Sequence, residues 1–209
     1  LIKVVLCDDH AMVRRGIRDT LADAADIEVI GEASSYSEVR ELIRDLTFNV
    51  LVLDLNLPGR SGMEVLASLR EQRTDVRVLI VSMFPEDQYA LRCLRAGADG
   101  YLNKAGDPAE LITAVRCLAG GRKYVTPEIS EMLVANLASP KDEMPHARLS
   151  ERELQTLIKI ASGKRLSEIA EDLMLSPKTV SVYRARLLEK LNLSNNAELA
   201  VYAIRNQLV

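Results

Sequence analysis

Cysteine and histidine are scarce in this chain. Cys7, Cys93 and Cys117 are scattered, and His10 and His146 are the only histidines. Neither set has the spacing of a zinc site, a dithiol centre or a disulfide framework, so none of these is supported. The cysteines read instead as reduced core residues, which fits a cytoplasmic setting. No apolar run approaches the roughly eighteen residues of a membrane helix, and the sequence enters a strand pattern with no signal-peptide architecture before it. Neither a membrane nor a secretory route is expected. Charge of one sign is not in large excess either, with 27 Lys+Arg against 30 Asp+Glu.

That near balance conceals an asymmetry. Residues 1–119 carry a net charge of -5, residues 120–146 a net of -1 and residues 147–209 a net of +3. An acidic front and a basic rear point to two tasks on one chain, the rear one meeting a polyanion. In the front, apolar runs at 2–7, 27–33, 50–54, 78–82 and 100–103 alternate with helical patterns near 11–24, 36–46, 61–72, 86–96 and 108–119. Five strand-then-helix repeats predict an α/β doubly wound, five-stranded parallel sheet covered on both faces. Gly97 with Asp99-Gly100, and Gly120-Gly121, stand where helix C-caps belong.

The chemistry-bearing residues fall at strand ends, where open α/β sheets place their ligands. Asp54 follows Val50-Leu51-Val52-Leu53 and precedes a Pro58-Gly59 turn. Asp8 and Asp9 end the first run, Ser82 ends the fourth, and Lys104 follows the fifth. Taken singly, each acid reads equally well as a helix cap or a turn opener. Three acids, a hydroxyl and a lysine together make a site for Mg2+ and a phosphoryl group.

Residues 120–146 predict a linker with a short helix from Thr126-Pro127 to about Leu137, and an exposed stretch from Ser139 to Pro145. The domain boundary is expected near 139–147. Beyond it, Ser150-Glu151-Arg152-Glu153 is a capping box, with Leu154, Leu157, Ile158 and Ala161 at helical spacing. Ile169, Ala170 and Leu173 mark a second, short helix. Ser176-Pro177 opens a third, to about Leu191, and 196–206 makes a fourth. The tight connection Met174-Leu175-Ser176 makes the middle pair a helix-turn-helix.

These pieces resemble a known family. Cys7-Asp8-Asp9-His10, Leu53 through Gly59 with Ser61-Gly62-Met63-Glu64, Ser82, and Ala96 through Lys104 are similar to a two-component receiver domain. Leu149 through Glu153, Glu168-Ile169-Ala170 and Ser176 through Leu191 resemble a LuxR-type helix-turn-helix domain. Together they resemble the NarL/FixJ family of response regulators over essentially the whole chain. The resemblance implies a receiver at 1–119, a linker at 120–146 and a DNA-binding domain at 147–209.

It further implies that Asp54 accepts a phosphoryl group from a sensor histidine kinase. Asp9 and Asp54 would ligate Mg2+ directly, with Asp8 nearby or through water and Asn56 offering its backbone carbonyl. Lys104 and Ser82 would each meet a phosphoryl oxygen, and Ser82 with Tyr101 would form the switch. The chain would then be no enzyme beyond its own phosphorylation and dephosphorylation. Ala105 stands where many receivers have proline, and Phe84 flanks the expected path of the hydrolytic water.

In the third rear helix, steps of about 100° per residue put Val180, Tyr183, Leu187, Leu188 and Leu191 inward. Lys178, Ser181, Val182, Ala185 and Glu189 face out, on the side the family lays in the major groove. Base readout is expected through Val182 and Ala185 on thymine methyls and the Ser181 hydroxyl. Lys178, Thr179, Arg184, Arg186 and Lys190 are expected on phosphates, with an ion pair inside the domain as the rival for Arg184. Paired half-sites on double-stranded DNA imply a homodimer, with Ala197, Glu198, Val201, Tyr202 and Arg205 as its face. The same stripe would otherwise close the small core. A haloacid-dehalogenase-like phosphatase would need a second acid where Asn56 stands, and a regulator independent of phosphorylation would have no use for the acidic cluster.

Overall fold

Strands β1 (Ile2–Cys7), β2 (Ile27–Ala33), β3 (Val50–Leu53), β4 (Arg77–Ser82) and β5 (Gly100–Asn103) form one parallel sheet in the order β2-β1-β3-β4-β5. The computed structural model describes residues 1–73, 75–138, 145–206 and 208–209. It divides into two units, Leu1–Ala135 and Asn136–Val209.

Helices α1 (Ala11–Ala22), α2 (Tyr36–Asp45), α3 (Gly62–Gln72), α4 (Glu86–Arg95) and α5 (Pro108–Ala119) follow the five strands in turn. Helix packing on both faces explains why the strands are continuous apolar runs rather than alternating ones. Val4 through Cys7, Val50 through Leu53 and Val78 through Val81 are all buried. On one face Leu6, Val52, Val81 and Leu102 share a core with Leu21, Leu111, Val115 and Leu118. Local chemistry sets the helix ends. Ser35 accepts a hydrogen bond from Glu38 N, Ser61 and Glu64 close a capping box, and Asp107 caps α5. Gly97 (φ 104°) and Gly121 (φ 80°) leave α4 and α5 in the left-handed region that their lack of a Cβ permits.

The expected elements are found with small shifts. β3 stops at Leu53, so Asp54 is the first residue past the strand, and β4 starts one residue early at Arg77. α1 ends at Ala22 because Ala24 turns to accept from Ile27 N. Residues 120–135 belong to the first unit. Tyr124 N donates to Asp99 O at 2.9 Å and Tyr124 bridges Gly100, while Thr126 Oγ1 donates to Glu86 Oε2 at 2.7 Å. Helix α6 spans Pro127–Ala138. The expected exposed stretch, apart from Pro145, lies outside the described residues.

Past α6, whose last residues open the second unit, the described residues resume with a short 3-10 turn, Pro145–Arg148. Helices α7 (Glu151–Ala161), α8 (Leu166–Asp172), α9 (Pro177–Leu191) and α10 (Asn196–Arg205) follow. Its core contains Leu154, Leu157, Ile169, Leu173, Val180, Leu187 and Leu199. Met174, at φ 51°, turns the chain between α8 and α9.

Asp99 pins the far side of the first unit. Its buried carboxylate accepts from Arg70 at 2.7 Å, Arg77 at 3.0 Å and Val78 N at 2.9 Å, and Arg70 also donates to Gly97 O and Val76 O. Asp99→Ala leaves the buried Val78 N–H without its acceptor and removes the one carboxylate bound to the Arg70 guanidinium, so it is expected to cost about 3 kcal/mol. Urea unfolding of the two forms measures this as a lowered midpoint.

Candidate functional site

The strand order reverses between β1 and β3, and a crevice opens outside the carboxyl ends at such a switch point. Cys7 pairs with Leu53 across these two strands, and Asp54 N donates to Cys7 O at 2.8 Å. The register therefore brings out Asp8 and Asp54 side by side. On the next strand pair Ser82 is opposite Asn103, and Lys104 N donates to Ser82 O at 2.8 Å. This delivers the Lys104 side chain to the same crevice. Its ammonium lies 2.6 Å from Asp8 Oδ2 and 2.7 Å from Asp54 Oδ2.

The pocket is buried and rich in carboxylates. Asp8, Asp9 and Asp54 side chains are 4%, 6% and 3% exposed, and Lys104 is 6% exposed. Three acids thus face one ammonium in a region where water screens little. Burial pushes the Asp54 carboxyl above its ordinary range, Lys104 pulls it back and the Asp8 charge adds to the rise. Burial also works against the Lys104 ammonium, yet the two carboxylates outweigh it and hold its pKa above the usual value. Ligand atoms of Asp8, Asp9, His10 and Asp54 lie within 4.8 Å of one another. Hard oxygens with uncompensated negative charge are a donor set for a divalent cation. Burial also raises the Cys7 thiol pKa behind the site, so it stays protonated.

Around the site, the part played by Arg14 and the steric need for Gly62 were not singled out in the sequence, whereas Asn56, Tyr101 and Phe84 were. Arg14 donates to Asp8 O at 2.6 Å and to Glu32, fixing the loop after β1. A Cβ on Gly62 would stand 2.2 Å from Asp54 O and 2.8 Å from Leu55 Cα. Glycine is therefore required there for α3 to begin against the loop after β3. Asn56 N donates to Asp54 Oδ1 at 3.2 Å, turning its backbone around the carboxylate. Tyr101 is fully buried and donates to Phe84 O at 2.8 Å, while Phe84 N donates to Ser82 Oγ at 3.3 Å. The Phe84 ring stacks on Tyr89 with centroids 4.5 Å apart.

In the second unit α9 divides as its periodicity predicts. Val180, Leu187 and Leu191 are buried and Tyr183 and Leu188 partly so. Lys178, Ser181, Val182, Ala185, Arg186 and Glu189 are exposed. Thr179 is half-buried, with its hydroxyl 2.8 Å from that of Ser176. The Ser181 hydroxyl donates to Pro177 O, so towards a base it is left with acceptor capacity only. Arg184 donates to Asn196 Oδ1 at 2.6 Å, a neutral partner rather than the ion pair considered for it. Lys190, expected on a phosphate, is also exposed, and it has a partner within the domain. It pairs at 2.7 Å with Glu153, whose side chain is 2% exposed and closes the Ser150 capping box.

On α10, Ala197, Glu198, Val201 and Arg205 are exposed. Glu198 nevertheless accepts from Ser194 N and Asn195, and the Tyr202 hydroxyl lies 3.0 Å from His146 Nδ1. Ile204, 60% exposed, joins Val201 as an apolar residue not singled out in the sequence.

Residues 4–116 match the family model described as the response regulator receiver domain, and residues 147–203 match that of bacterial regulatory proteins of the luxR family. The chain belongs to the NarL/FixJ family of response regulators. It is 38% identical to the response regulator UvrY of Escherichia coli K12 over 209 residues, covering 100% of this chain and 96% of UvrY. It is 36% identical to the response regulator GacA of Pseudomonas aeruginosa, covering 100% and 98%. Among solved structures it resembles RcsB from Salmonella enterica serovar Typhimurium, bound to the promoter rprA in the presence of the phosphomimetic BeF3−. That match has TM-score 0.65 and 26% identity, and covers 96% of this chain and 97% of RcsB.

No helix among the described residues of this response regulator is long and apolar enough to cross a membrane. Lys190→Met is expected to lower the stability of its DNA-binding domain by about 2 kcal/mol, between an exposed and a buried ion pair. The slope of log affinity for DNA against log salt should stay unchanged, whereas Lys178→Ala lowers it by about one. Chemical denaturation and a salt series of binding curves check both.

Proposed function

We propose that Asp54 accepts a phosphoryl group from a sensor histidine kinase and that its phosphorylation controls DNA binding and transcription. The observation that carries this is the convergence of Asp54, Asp8 and Lys104 within 2.7 Å in a buried, negatively charged pocket. A carboxylate beside an ammonium at a strand end is poised as a nucleophile. An Asp54 oxygen would form the new bond to phosphorus as the bond from phosphorus to the donor's nitrogen breaks, the imidazole regaining a proton. Lys104 and Ser82 would meet the phosphoryl oxygens. Asp9, Asp54 and the Asn56 carbonyl would hold Mg2+, with Asp8 beside it. When bound, that ion would neutralise the charge of the acids and of the transferring group. Turnover beyond this chain's own phosphorylation and dephosphorylation is not expected.

Residues 1–119 serve as the phosphoacceptor domain and 147–209 as the DNA-reading domain, with 120–146 between them, in a cytoplasmic protein. In α9, Val182, Ala185 and Ser181 would read bases in paired half-sites, and Lys178, Thr179, Arg184 and Arg186 would contact phosphates. The exposed face of α10, with Ala197, Val201 and Arg205, would form the homodimer.

Intact-mass measurement after incubation with Mg2+ and a small phosphodonor tests the acceptor. One added phosphoryl group is expected in the wild type and none in Asp54→Asn; uptake by the mutant would overturn the assignment. Signal transfer would run through Ser82, Phe84 and Tyr101, because Phe84 is bonded to both of the others. Tyr101→Ala is accordingly expected to take up phosphate normally while losing phosphorylation-dependent DNA affinity. Equal stimulation in mutant and wild type would reject that route.

A further inference from the structure

We propose that the first unit carries a binding site for a small amphipathic cation, an apolar body bearing an ammonium group, in a cavity between α1 and α5. The cavity has a volume of about 340 Å³, and small-molecule sites occupy roughly 300 to 1,000 Å³. Its walls are chiefly apolar: Val81 and Leu102 from the sheet, Val13 and Ile17 from α1, and Leu111 from α5. Met83, 67% exposed, adds a further apolar side chain to them. Of Asp8, Asp54 and Lys104 only the lysine lines it, so this is a second site beside the acidic crevice.

Gly16 opens the space. Val13, Gly16, Ile17 and Thr20 recur at the spacing of one helix face, and all four line the cavity. Glycine inside a helix weakens it relative to alanine. At Gly62 close backbone requires glycine, but a Cβ on Gly16 would meet nothing within 4 Å. The missing side chain therefore serves no close packing; it leaves apolar surface that an apolar occupant would cover.

The polar groups set the charge of that occupant. Asn103 is already engaged, its amide donating to Phe84 O at 3.2 Å and accepting from Ala105 N at 2.8 Å. The Lys104 ammonium is held by Asp8 and Asp54. Besides the Thr20 hydroxyl, two carboxylates remain on the lining. Glu110, half-buried, makes no side-chain hydrogen bond or ion pair among the described residues. Asp107 gives one oxygen to Ala109 N at 2.9 Å and keeps the other. An apolar hollow edged by two acids, in a region of net charge -5, selects a positively charged head group.

Chemical-shift titration of the full chain with phenylbutylammonium, phenylbutanol and phenylbutyrate tests this. The ammonium should bind about fivefold more tightly than the alcohol, and the carboxylate more weakly than either. The shifts should centre on the amides of Val13, Gly16, Ile17 and Leu111. Glu110→Gln should bring the ammonium down to the affinity of the alcohol and leave the alcohol unchanged. Gly16→Leu, which fills the hollow, should abolish binding of both while circular dichroism and the unfolding midpoint show an intact fold. Equal affinity for all three probes would overturn the cationic class. Absence of binding, or binding that survives Gly16→Leu, would overturn the site itself. So would self-association of the chain that Gly16→Leu removes, since the hollow would then receive a second copy.

Discussion

The contact of one buried ammonium, Lys104, with two buried carboxylates, Asp8 and Asp54, is the constraint around which the first unit is arranged. Bringing like charges together away from water is unfavourable, and a single lysine does not neutralise three acids. The sheet sustains the cluster because β1 and β3 are hydrogen-bonded through to Asp54 N, leaving the acids no freedom to separate. Gly62 and Arg14 hold the two loops on either side. The residual negative charge is what makes the pocket a donor set suited to a divalent cation.

The same strand ends are linked to buried aromatic rings. Ser82 closes β4 beside Lys104, and the residue two further on is held by both Ser82 and Tyr101. A chain of contacts thus runs from Ser82 through Phe84 to the Tyr101 hydroxyl and the stacked Tyr89 ring. Tight packing makes such a group respond as a unit rather than by gradual deformation.

The second unit is built on a different balance. Glu153, buried under the capping turn of α7, draws Lys190 of α9 to it, so one basic residue of the recognition helix is used to hold the helix in place. Lys178 and Arg186 remain exposed, and Val182 and Ala185 present methyl groups between them. Such a face combines positive charge with exposed apolar groups.

Much of this was legible in residue order. Buried parallel strands are apolar throughout, so the five runs and the acids at their ends could be read directly. Ser150 with Glu153, and Ser176 with Pro177, announced helix starts because capping is a local interaction. The 3.6-residue period of α9 separated its buried and exposed faces. What residue order could not show was pairing across distance. Lys190 reads as one more basic residue until Glu153, 37 positions away, is seen beneath it. Tyr124 and Thr126 looked like linker until β5 and Glu86 were found to hold them. Gly62 matters through atoms that approach it in space. Strands, caps and helical faces are encoded by neighbours along the chain. The charge cluster and the tether exist only because folding brings distant residues within hydrogen-bond range, where burial multiplies the strength of every charge.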